Sequence, residues 1–259
     1  MIGGPRTARL VAAAVALLAL ACAGCNLHSG EQTPRLTLFI GVDASSSFYN
    51  SGSYHDSMSF LAHYIYGHLN GLGGLERPRE LFVGSIGGSD KGDPKAFHPQ
   101  HDFAGKDVAK IEEDLRFWFP PVDKLTDFNS FFKQVTRITK ERNLVLAPVS
   151  VVMVSDGVPD LTPGMEAKAP ADRYRAIDLS SLDYLARNVT LRIAYVSPRV
   201  GEQWRTLVPR QRVRLWTVEA EVMLGWNEQI QPAVDIAGQA RLWDWIHDNV
   251  DYRVRSVKL

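Results

Sequence analysis

Beyond residue 25 the chain contains no cysteine, because both of its cysteines, Cys22 and Cys25, lie near the N-terminus. The body can therefore form neither a disulfide nor a thiolate metal site. A surplus of one charge sign is also missing, with 29 Lys and Arg against 29 Asp and Glu. That balance excludes a polybasic nucleic-acid binder and an acidic tail. After residue 25 no apolar run reaches the roughly 20 residues that span a bilayer, and no internal repeat is visible. Phosphate loops are absent too: Gly71-Leu72-Gly73-Gly74 and Gly87-Gly88 lack both the Lys-Ser/Thr pair and the dinucleotide spacing. Gly84-Ser85-Ile86 lacks the flanks of a nucleophile elbow. What is present is 259 residues, 45% hydrophobic and 22% charged, enough for one large domain or two small ones with a real core.

The N-terminus reads as an export signal. Arg6 and Arg9 are the only charges among the first 25 residues, and Leu10 to Ala21 is apolar but shorter than an ordinary membrane helix. Removing those two arginines lowers the basic count from 29 to 27 against 29 acids, a balance of −2. The run Leu18-Ala19-Leu20-Ala21-Cys22-Ala23-Gly24-Cys25 resembles the lipobox of bacterial lipoproteins. That resemblance implies cleavage before a lipidated cysteine. Cys25, after the small pair Ala23-Gly24, is the preferred site and Cys22 the alternative. A Cys22–Cys25 disulfide and an uncleaved signal anchor are the competing readings. The expected organisation is a signal peptide over 1–25, a tether over 26–34, and a folded domain with a C-terminal extension over 35–259. Neither Asn26 nor Ala23 is the Asp that commonly holds lipoproteins at the inner membrane, so the outer membrane is favoured.

From Arg35 onward strand-like and helix-like segments alternate. Leu36 to Val42, Glu80 to Ile86, Val149 to Val154, Thr190 to Val196 and Arg212 to Val218 read as strands, the first and third as runs buried on both faces. Met58, Leu61, Ile65 and Leu69 mark one helical face, ended by Asn70-Gly71. Helices are also predicted over Asp107–Trp118, Asp127–Glu141 and Arg241–Val250. Gly87 to Lys106 reads as a polar loop, and Tyr252 to Val257 as a short edge strand. Such alternation predicts an α/β fold with a doubly wound, mostly parallel sheet and helices on both faces, with room for a short antiparallel edge. Polar clusters just after apolar strands then become the places to look for a ligand.

Two clusters qualify. Asp43-Ala44-Ser45-Ser46-Ser47 follows the first strand, and Ser155-Asp156-Gly157 follows Val149–Val154. A third piece, Leu125-Thr126-Asp127, precedes the Phe-rich helix. Together they resemble the metal-ion-dependent adhesion site (MIDAS) of von Willebrand factor type A (VWA) domains. Carried over by position, the resemblance implies Ser45, Ser47 and Thr126 as close ligands of a divalent cation, with Asp43 and Asp156 supplying charge. Small hard cations take about six oxygen ligands, so Mg²⁺ is expected, with Mn²⁺ or Ca²⁺ possible. Gly41 and Gly157 are read as small residues that let the backbone crowd the site. The competing reading of Thr126 is a helix N-cap, and that of Asp43 and Ser45 is capping without metal.

The resemblance further implies a non-enzymatic binding module that captures an Asp or Glu carboxylate of a protein partner. Rim segments are Phe48 to His55, Gly87 to Phe103 and Val158 to Arg173. A scaffold role with metal for stability only, and a metal-dependent hydrolase, are the alternatives; the latter lacks a positioned general base near the motifs. His98-Pro99-Gln100-His101-Asp102 reads as an ordinary loop rather than a metal site, and Trp226, Trp243 and Trp245 as cover for the sheet.

Overall fold

The strand Thr37–Val42 (β1) is buried at all six positions, as a strand covered on both faces must be. The computed structural model describes residues 34–88, 96–160, 169–185 and 189–251. Glu80–Ser85 (β2), Phe97–Pro99 (β4), Val149–Val154 (β6), Val189–Val196 (β7) and Arg214–Glu219 (β8) join β1 in one sheet of order β4-β2-β1-β6-β7-β8. All its pairings are parallel except β2 with β4, the antiparallel edge. Gly87–Gly88 (β3) and Leu125–Thr126 (β5) form a separate two-stranded antiparallel pair. This is the doubly wound architecture that the resemblance to type A domains implies.

Alternation along the strands divides the interior into two cores. Leu38, Ile40 and Val42 face one, with helices Tyr54–Asn70 (α2), Val108–Trp118 (α3) and Ala240–Asn249 (α9). Phe39 faces the other, with Phe128–Glu141 (α4), Pro170–Arg175 (α5), Ser180–Asp183 (α6) and Pro198–Leu207 (α7). The remaining short helices are Ser46–Asn50 (α1), directly after β1, and Ala220–Met223 (α8). Among the described residues both cores draw on residues 36–250, and Pro34–Leu259 is a compact unit by itself. The expected role of the tryptophans holds: Trp226 and Trp243 are buried in the first core and Trp245 packs against it. Among the described residues no helix is long and apolar enough to cross a membrane.

Local chemistry explains where elements stop. Helix α2 ends at Gly71, whose φ of 65° lets its N–H reach back to the carbonyls of Gly67 and His68. Tyr195 in β7 holds φ 74° at a register shift in the β7–β8 pairing. Its hydroxyl donates to Asp56 Oδ2 at 2.6 Å, and Trp226 Nε1 donates to the same oxygen at 3.0 Å. This network fastens β7 to α2.

Three readings of the sequence change. The stretch Gly87–Lys106, read as a polar loop, contains β3 and the edge strand β4. The Phe97 ring lies against Gly84 and stacks on Phe131, while His98 stacks on Trp118 with centroids 3.8 Å apart. Packing of aromatic rings, not alternation over three residues, makes this segment a strand. Helix α4 begins at Phe128 with Asp127 as its cap, accepting from Ser130 N at 3.0 Å. The Val158–Arg173 loop gives way to α5 at Pro170, whose fixed φ suits a first helical turn. The predicted edge strand Tyr252–Val257, the signal peptide and residues 26–33 of the tether lie outside the described residues.

Gly41 in β1 sits under α4. A Cβ there would lie 2.8 Å from Phe131 Cζ and 2.9 Å from Ile86 Cγ1. Gly41→Ala is therefore expected to lower stability by about 1–3 kcal/mol, read as a lower urea midpoint with little change in slope.

Candidate metal centre

Strand β1 is flanked by β2, which follows it in the chain, and by β6, reached only after the chain crosses the sheet. The carboxyl ends of β1 and β6 therefore frame a topological switch point, where an open α/β sheet leaves a crevice. Both polar clusters emerge there. Asp43 N donates to Val154 O at 3.1 Å, which ties the two strand ends together directly.

Asp43 is fully buried. Its Oδ1 accepts from Ser45 N at 3.0 Å and its Oδ2 from Ser155 Oγ at 2.6 Å. Ser155 Oγ also accepts from Gly157 N at 2.9 Å, so one hydroxyl joins the first loop to the third. Ser45 Oγ lies 3.1 Å from Ser47 Oγ and accepts from Phe48 N at 3.4 Å, capping α1. The capping reading of Ser45 is thus correct, and it coexists with the Ser45–Ser47 pairing. Asp43 caps nothing. Asp156 Oδ1 accepts from Val158 N at 2.9 Å, and the Ser47 hydroxyl favours the charged form of the same carboxyl group.

Thr126 arrives on β5, opposite Gly87 of β3. Its N–H donates to Asp160 Oδ2 at 2.6 Å and its carbonyl accepts from Asp160 N at 3.3 Å, so the second loop is held to the third. Asp123, two residues before β5, donates its N–H to Ala44 O at 3.1 Å, and its Oδ2 accepts from Ser85 Oγ at 2.7 Å. The second loop is thereby held to the first. Thr126 is 2% exposed, and its Oγ1 has no hydrogen-bond partner among the described residues. Since Asp127 performs the capping, the N-cap reading of Thr126 is overturned.

The electrostatics are those of crowded, poorly hydrated carboxyls. Burial pushes Asp43 up to about 6 and the Asp156 charge adds to it, against the hydrogen bonds from Ser155 and Ser45. Asp156 is also raised, by burial and by Asp160, against Val158 N–H and Ser47. No protein cation is among the groups that set either shift. Tyr174, buried in α5, is pushed up to about 12 by burial and by Asp156.

Among the described residues no three His, Cys, Asp or Glu side chains group as a metal site. An ion at these loops would depend on hydroxyl oxygens, and the residues present fit that demand. Two ligands at right angles on a shell of ~2.1 Å are about 3 Å apart, which the Ser45–Ser47 pair meets. Among the described residues the buried Thr126 hydroxyl has no partner, and an unmet polar group costs roughly 1–3 kcal/mol. An all-oxygen set favours a hard cation.

Sequence reasoning missed Ser155, Asp160 and Asp123, which fasten the three loops to one another. Ser155 stood inside a recognised cluster, but only the structure shows its hydroxyl turned to Asp43. Gly41 has a different role from the one expected: its missing side chain makes room for Phe131 and Ile86, not for the site. Gly157 adopts φ 72°, and a Cβ there would meet Val196, Val200 and Trp204. Phe48, expected on the rim, is buried core, whereas Tyr49 and His55 beside it are exposed.

No family model and no curated protein matches the chain. Similar solved structures include manganese-loaded TRAP protein of Plasmodium vivax, at 16% identity over 73% of this chain and 70% of that one, TM-score 0.47. The pilus adhesin SpaC of Lactobacillus rhamnosus GG, in its open conformation, shows 12% identity over 85% of this chain and 31% of that one, TM-score 0.47. Proximal thread matrix protein 1 of the mussel byssus, with a zinc-occupied MIDAS motif, shows 12% identity over 82% of this chain and 47% of that one, TM-score 0.43. The chain thus spans less than half the length of the last two. Likeness at this level assigns no ligand, metal or partner here.

Asp43 carries a pH prediction. Its folded pKa lies above the model-peptide value of 3.8, so its contribution to stability is full below about pH 4 and is lost as pH rises through about 6. In chelator, Asp43→Asn should gain about 2–3 kcal/mol relative to wild type between pH 4 and pH 7. Denaturant melts at both pH values check this; a wild-type-to-variant difference that does not move with pH contradicts it.

Proposed function

We propose that this chain is a non-enzymatic protein-binding module with a MIDAS-like centre, exported and lipid-tethered through Cys25 or Cys22 to a bacterial envelope, the outer membrane being favoured. In this reading Ser45, Ser47 and Thr126 hold a divalent cation, Mg²⁺ first among the candidates, while Asp43 and Asp156 balance its charge. The ion supplies a hard Lewis-acid contact at which an Asp or Glu carboxylate of a partner is fixed. The exposed rim around Tyr49 and His55 discriminates among partners. The observation that carries the reading is the buried, unpartnered Thr126 hydroxyl in a loop fastened to those of Ser45 and Asp156. The oxygen donors suit a hard cation, and the −2 balance of the body offers nothing to nucleic acid. The export reading rests on the sequence of the first 25 residues alone.

The complete burial of Asp43 favours one second reading, in which the same ion serves stability only. Crosslinked pull-downs from envelope extracts separate the two. With Mg²⁺ the wild type should retain a partner that is lost in chelator, in Asp156→Ala and in Thr126→Ala, all folded by circular dichroism. A metal-induced rise in melting temperature without any metal-dependent partner supports the structural reading instead. Capture that survives chelator and both substitutions overturns the proposal. Ser155→Ala should weaken cation affinity about 10–100-fold, the usual cost of removing a group that orients a ligand, measured by titration calorimetry.

A further inference from the structure

The opposite pole of the sheet, where the parallel strands begin, has a different chemistry. Arg35 precedes β1 and Arg79 precedes β2. The Arg79 N–H donates to Leu36 O at 2.8 Å, and Thr37 N donates to Pro148 O at 2.9 Å, which brings three chain segments together. Arg35, Arg79, Asn143, Val145, Leu146 and Ala147 line one cavity of about 410 Å³. Asn143 turns the chain there with φ 56°. Leu146 is 92% exposed, and both arginines are exposed without an ion pair among the described residues. Arg142, also exposed, adjoins the turn, and the neighbouring acid Glu141 is engaged by Arg137 at 3.7 Å.

We infer that this pole is a docking site for an anionic bilayer, with lipid phosphate seated between Arg35 and Arg79 and Leu146 entering the headgroup layer. Guanidinium groups match phosphate oxygens in paired hydrogen bonds. At an anionic interface, insertion of an exposed leucine adds to the attraction of the neighbouring cations for the lipid phosphates. The carboxyl ends of β1 and β6 lie at the other end of these parallel strands, so a bilayer held by Arg35, Arg79 and Leu146 leaves the MIDAS-like centre open to a partner. The inference gains from the tethering reading but stands on the pole's own residues.

The test uses residues 34–259, which contain both cores and none of the leader, in sedimentation with vesicles. Vesicles of phosphatidylcholine with added phosphatidylglycerol should carry the protein down, phosphatidylcholine alone should not, and high salt should release it. Arg35→Glu with Arg79→Glu should weaken binding at least tenfold, and Leu146→Ser should weaken it severalfold. Asp156→Ala should bind as wild type does, which separates this result from the fate of the metal centre. Equal binding to both vesicle types, or unchanged binding by the folded double variant, overturns the inference. Inorganic phosphate that binds without vesicles and competes at low concentration also overturns it, since the source is then free phosphate.

Discussion

Burying carboxyl groups with no protein cation beside them among the described residues is the constraint around which this molecule is arranged. The Asp156 charge raises the cost of Asp43, Asp160 raises that of Asp156, and hydroxyl and backbone donors offset only part of it. An isolated buried carboxylate is expensive enough that it either takes a proton or acquires a positive partner. Among the described residues the loops surround these carboxyls with hydroxyl oxygens and backbone N–H groups.

The rest of the fold holds that cost in place. Placing β1 beside β6 fixes the spacing of the first and third loops through Asp43 N and Val154 O. The small β3–β5 pair brings in Thr126, and Asp123 and Asp160 fasten it on either side. Behind the third loop, Gly157 turns with a positive φ while its carbonyl accepts from Trp204 Nε1 at 2.7 Å. A loop fixed on several sides cannot relax its carboxyls into solvent without breaking core contacts. At the other end of the strands, Arg35, Arg79 and Leu146 line a cavity of their own.

Much of this was legible from residue order. Buried runs such as Val149–Val154 announce central parallel strands, and Gly71 announces the end of α2. The five residues from Asp43 to Asp156 belong to loops that the structure does bring together. Three things were hidden. β4 is a strand only because Phe97 and His98 find rings on other elements, a tertiary effect that overrides local pattern. The helix after Thr126 has two adjacent residues able to cap it, and sequence cannot say that Asp127 takes the role. Ser155, Asp160 and Asp123 act through contacts across the chain, which spacing does not encode.

Diffraction from crystals grown with Mn²⁺, recorded at the manganese absorption edge, bears on whether the three loops form one seat. The account predicts a single strong anomalous peak within about 2.1–2.3 Å of the Ser45, Ser47 and Thr126 hydroxyls. Bare loops in a manganese-saturated crystal, with those hydroxyls bonded only to protein or water, would contradict it.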